Sequence, residues 1–134
     1  EAAAEMVDDL LMRGYYEETF NISKKITVTL RTREQRDTLR LQTALQIQRP
    51  IFQDAMDELI TRYNLASSMV EFKGQKFDFP TDDSSEEEIE KLFDVRLQFV
   101  ERLPAAVFMK LSGKLAKFDQ KIVAVMREGV AENF

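Results

Sequence analysis

The clearest pattern in the chain is an apolar stripe in its last third. Phe108, Leu111, Leu115, Phe118, Ile122 and Val125 recur at spacings of 3, 4, 3, 4 and 3, which keeps one face of a helix apolar throughout. Upstream, Ile89, Leu92, Phe93, Arg96, Phe99, Val100 and Leu103 share a face of a second helical segment. Leu103-Pro104 separates the two, because the residue before a proline is disfavoured in the α region. Stripe, break and stripe predict a closing helix pair over residues 86–130, whose second member folds back on the domain or leans out to a partner.

Earlier in the chain the period changes several times. Residues 1–13 combine good helix formers with early acidic residues, and Gly14 stops the run. Met6, Leu10 and Arg13 make only a thin stripe, so the segment 1–16 is expected to dock late or on a partner. Phe20 and Ile22, then Ile26, Val28 and Leu30, alternate with polar residues around Ser23-Lys24-Lys25, the pattern of a small β-hairpin. Thr32-Arg33-Glu34-Gln35 reads as a capping box with Thr32 as N-cap. The helix behind it carries Leu39, Leu41, Leu45 and Ile47, and Arg49-Pro50 ends it.

Pro50 is then expected in the first turn of a further helix. Ile51, Phe52, Ala55, Met56, Leu59, Ile60 and Tyr63 give that helix a broad apolar face, as a central core helix requires. Val70, Phe72, Phe77 and Phe79 flank Lys73-Gly74-Gln75-Lys76, a second hairpin spacing around a glycine turn. Residues 80–85 form a loop, and Ser85 caps a helix whose first turn is Glu86, Glu87 and Glu88. The expected fold is α+β and predominantly helical. It has four to five helices, one or two short β-hairpins and a closing helix pair broken at Pro104, all in a single domain over 1–134.

Composition narrows the chemistry. The chain has neither His nor Cys, which removes the commonest general base, the commonest transition-metal ligand and every thiolate. There is no Ser elbow, no phosphate-cradling glycine loop and no H-E-x-x-H. No catalytic residue and no cofactor is expected. The net charge of −5 does not favour nucleic acid, and no apolar run is long enough for a membrane span.

Three charged groups remain to be placed. Asp82, Asp83, Glu86, Glu87, Glu88 and Glu90 lack the spacing of a calcium loop and read as a solvated loop and helix start. Lys110, Lys114, Lys117 and Lys121 each lie one residue before a seam position, a basic stripe flanking the seam. Its counter-charge is expected in 86–90 or on another chain, as in a coiled-coil flank. Arg31, Arg33, Arg36 and Arg40 read as an exposed helix face with local ion pairs.

Three stretches carry a family likeness: ITVTLRTREQRDTLRLQTAL, DELITRYNLASSMVEF and LFDVRLQFVERLPAAVFMKLSGKLAKFDQKI. With the Arg31-Thr32 helix start, the RYNLAS segment and the Leu103-Pro104 helix pair, the plan over residues 25–128 resembles small tailed-bacteriophage proteins. These are of the tail and baseplate-hub assembly-chaperone type. Residues 1–16 do not match that plan. The resemblance implies a non-enzymatic virion or assembly protein, located in the virion or in the host cytoplasm during assembly.

Its partners are expected to be viral structural subunits or further copies of the chain. The contacts are expected at Phe108, Leu111, Leu115, Phe118, Ile122, Val125, the four lysines of the stripe and Phe134. The rival expectation is a nucleic-acid-associated accessory protein that uses the lysine stripe.

Overall fold

The computed structural model describes the backbone of residues 2–133 and the side chains of residues 3–128. Within that range the order is α1 (Ala2–Arg13), β1 (Glu17–Asn21), β2 (Thr27–Arg31), α2 (Gln35–Gln48), α3 (Gln53–Ser68), β3 (Met69–Phe72), β4 (Gln75–Lys76), α4 (Glu86–Glu101) and α5 (Ala105–Asn133). Five helices and one antiparallel sheet make this an α+β fold dominated by helix.

The two expected hairpins form one four-stranded sheet in the order β1-β2-β3-β4. Phe20 pairs with Val28 and Glu18 with Leu30 across β1 and β2, and Val28 pairs with Phe72 across β2 and β3. Alternation therefore places Phe20, Val28, Leu30 and Phe72 on one face. At the β3–β4 turn Lys73 and Gly74 have φ of 51° and 81°, the left-handed pair that a tight two-residue hairpin requires.

Three helix starts follow from local chemistry. Ser85 caps α4 as expected, its Oγ accepting the Glu88 N–H at 3.2 Å. Helix α2 begins at Gln35 with Glu34 as N-cap, not Thr32. The Thr32 hydroxyl is occupied elsewhere, accepting the Tyr16 N–H at 3.1 Å, while the Thr32 N–H donates to the Tyr16 carbonyl at 3.0 Å. Thr32 thus closes the β1–β2 hairpin, and the Glu34 N–H is met by Asp37 Oδ2 at 2.9 Å. Helix α3 begins at Gln53, not Pro50: Arg49 ends α2 in the left-handed region at φ 43°, which leaves Pro50 and Ile51 in the turn.

One core joins these elements. Val28 and Leu30 from β2, Leu65 and Ala66 from α3, Phe93 and Val100 from α4, and Leu111, Leu115 and Phe118 from α5 are buried together. The α3 contribution to this core, Leu65 and Ala66, comes from its second half, and Ile51 and Phe52, expected on its apolar face, precede the helix and stand in solvent. The closing pair does break at Pro104, whose carbonyl accepts the first bond of α5 from the Phe108 N–H at 3.0 Å. The two members pack differently after the break: α4 packs mainly on α3, whereas α5 is spread over α1, α3 and β1. Met6 is fully buried, so the N-terminal helix docks on its own chain.

Candidate functional site

The seam of α5 is used internally. Leu111, Leu115 and Phe118 are core residues, and Phe108 and Ile122 pack half-buried against them. Phe118 lies between Tyr16, stacked at 6.2 Å, and Phe20, edge-on at 6.0 Å. Leu111, Leu115 and Phe118, expected as partner contacts, are closed into the core of their own domain and not open to another chain. Val125 is half-buried beyond them. Phe134 lies outside the described residues.

Two lysines of the stripe meet groups of their own chain. Lys121 pairs with Glu18 of β1, and Lys110 Nζ approaches the Ile22 carbonyl at 3.4 Å. Lys114 is half-buried and Lys117 exposed. Lys121 thus takes its counter-charge from Glu18, and no ion pair joins the stripe to 86–90 among the described residues. Glu90 is instead taken by Arg40, whose Nε and Nη2 meet its two carboxylate oxygens at 3.0 and 2.7 Å. That two-point geometry holds the Glu90 carboxyl below its ordinary pKa. Among the described residues no three carboxylates converge as a cation site, and no helix is long and apolar enough to cross a membrane.

Large apolar side chains are exposed singly or in pairs on α1 (Leu11, Met12), α4 (Val95) and α5 (Met109, Val123, Met126), and four more lie on α2 and the α2–α3 corner. Leu39, Ile47, Ile51 and Phe52 are between 62% and 90% exposed. Leu39 and Ile47 border a groove of about 470 Å³, with Ala44 and Tyr63 also lining it. Arg36 and Arg40 from α2 and Glu86 and Glu90 from α4 supply its charged lining. The corner owes its exposure to chain geometry. Arg49 turns the backbone out of α2 before Ile51 and Phe52 can join a helix face. Exposed apolar patches rimmed by polar side chains commonly mark sites of contact between proteins.

Two of the arginines expected on an exposed basic face, Arg33 and Arg40, are held by side chains of their own chain. Arg40 also donates from Nη1 to Asp37 at 2.8 Å. Arg33 spans Ser68 Oγ and Asp119 Oδ2, both at 2.8 Å, and so ties the start of α2 to α3 and α5. Arg96, inside the α4 stripe, is 3% exposed. Its Nε donates to the Ala66 carbonyl at 2.7 Å and its Nη1 to the Asp78 carbonyl at 2.8 Å. Ala66 is in the last turn of α3, where unpaired carbonyls and the dipole favour a cation. Burial pulls the Arg96 guanidinium down to about 10; Asp37 opposes this, and Arg40 and Arg31 add to it. It remains charged at neutral pH.

Fold and surface together define a small α+β protein with a closed core and, among the described residues, an exposed apolar corner between α2 and α3. No family model, no curated protein and no solved structure matches the chain.

Proposed function

We propose that this chain is a non-enzymatic protein–protein interaction component of a phage-like virion or its assembly, of the tail or baseplate structural or assembly-chaperone kind. The observation that carries the reading is the α2–α3 corner, where Leu39, Ile47, Ile51 and Phe52 stand in water. Covering side chains of this size stabilises a complex by about 1.5–3 kcal/mol each before the costs of association. The partner surface is a structural subunit that offers apolar side chains to the corner and charges of both signs to Arg36, Arg40, Glu86 and Glu90 around the groove. Location in the virion, or in the host cytoplasm during assembly, belongs to the same reading.

The test follows the chain through assembly. Wild type and the double variant Ile47→Glu/Phe52→Glu are expressed during particle production, and purified particles and tail intermediates are analysed by mass spectrometry. The wild-type chain is expected in one of these fractions, and the folded variant in neither. A wild-type chain absent from both, or a variant that co-purifies equally well, would overturn the proposal.

A further inference from the structure

A second feature lies under the first turns of α2. Arg13, Tyr15, Arg31, Phe79, Arg96, Phe93 and Arg40 form an alternating ladder of guanidinium groups and rings. Arg31 is 3.9 Å from the Tyr15 ring centre and 4.3 Å from that of Phe79; Arg96 is 4.0 Å from Phe79; Arg40 is 4.1 Å from Phe93. Stacking on ring faces stabilises the cations but leaves their in-plane N–H groups to find acceptors. A cavity of about 20 Å³ opens at the middle of this ladder, lined by Arg31, Arg36, Arg40 and Arg96 and by Glu34 and Asp37.

The hydrogen bonds around the cavity are lopsided. Asp37 is fully committed, one oxygen to Arg40 and the other to the Glu34 N–H. Arg40 gives three of its five N–H groups to Asp37 and Glu90. Arg96 spends Nε and Nη1 on carbonyls and meets no carboxylate. The Arg31 side chain is 13% exposed and has Glu34 at 3.9 Å, beyond hydrogen-bond reach. Four guanidinium groups thus line the cavity against two carboxylates: Asp37 is committed, Glu34 comes no nearer than 3.7 Å to Arg36 and 3.9 Å to Arg31, and the Ser67 hydroxyl is the other polar group of the wall. The volume admits one guest about the size of a water, too small for a four-oxygen anion.

We propose that this cavity is a binding site for a monatomic anion, chloride, held by Arg31 and Arg96 with Arg36 at the entrance. The anion supplies the acceptor that Arg31 lacks and the negative charge that Arg96 lacks. It thereby fixes the start of α2 against α4, independently of what the α2–α3 corner binds. A single water would fill the space but would leave the excess charge unmet.

Chlorine-35 NMR line broadening on the intact protein tests this at constant ionic strength, with sodium gluconate replacing chloride. Wild type is expected to show saturable excess broadening that bromide displaces, together with a melting temperature that rises with chloride and then levels off. Arg31→Gln, checked for folding by circular dichroism, is expected to lose most of the broadening and the chloride-dependent rise. Lys117→Gln on the exposed side of α5 is expected to keep both. No saturable broadening in wild type means a water-filled cavity and overturns the proposal, as does equal loss in the Arg31 and Lys117 variants.

Discussion

Replacing Phe118 by Ala separates a core seam from a docking seam. Phe118 is 1% exposed and lies between Tyr16 and Phe20, so truncation removes a buried ring, opens a cavity and breaks two aromatic pairs at once. Phe→Ala changes at such sites cost about 3–5 kcal/mol, a large part of the roughly 5–15 kcal/mol that holds a typical domain folded. Phe52, at 75% exposure, provides the opposite case, and its replacement by Ala is expected to change stability by no more than about 0.5 kcal/mol. Urea unfolding of the two purified variants, followed by circular dichroism, measures both. A Phe118→Ala loss below about 1 kcal/mol would refute the assignment of the seam to the core. A Phe52→Ala loss above about 2 kcal/mol would refute the exposure of the corner.

Other substitutions test local parts of the account. Gly74→Ala places a Cβ at φ 81° in the β3–β4 turn, and is expected to lower stability by about 1–2 kcal/mol in the same urea assay. Ser85→Ala removes the oxygen that accepts the Glu88 N–H, with an expected loss of about 1 kcal/mol at neutral pH. The Arg40–Glu90 pair sets an acid dependence. Because hydrogen bonding from Arg40 holds the Glu90 carboxyl below its ordinary value, its stabilising contribution is present above the unfolded-state pKa of about 4.3. That contribution is lost as pH falls through the lower folded-state value. Between pH 5 and pH 3, taken as roughly the titration range of a carboxylate, the melting temperature of wild type is expected to drop more than that of Glu90→Gln. Parallel curves would contradict the pairing.

Much of the architecture is legible in the residues, and the exceptions have physical causes. The α5 stripe, the Pro104 break, the Ser85 cap and the Gly74 turn each rest on a local rule, and each stands where the pattern put it. Thr32 misled because a hydroxyl suited to capping also suits a hairpin end, and only the fold shows that Tyr16 claims it. The seam was legible as a helix face but not as core or interface, since both bury the same residues.

The corner carried a readable signal in α2. At about 100° per residue, Leu41 and Leu45 lie on one side of the helix and Leu39 and Ile47 on nearly the other. An amphipathic helix with a single buried face has no use for the second pair. Arg96 likewise sits among Ile89, Phe93 and Val100 in a buried stripe, a placement that periodicity records without showing which carbonyls receive it.

The central claim is that this chain acts by contact through the α2–α3 corner, and site-specific photocrosslinking during particle assembly tests it most directly. A photoreactive amino acid is placed at Ile51, which is 90% exposed, and separately at Lys117 on α5. Irradiation is expected to yield a discrete adduct with one structural protein of the particle from position 51 and none from position 117. Adducts that form only from position 117, or from neither position, would contradict the account.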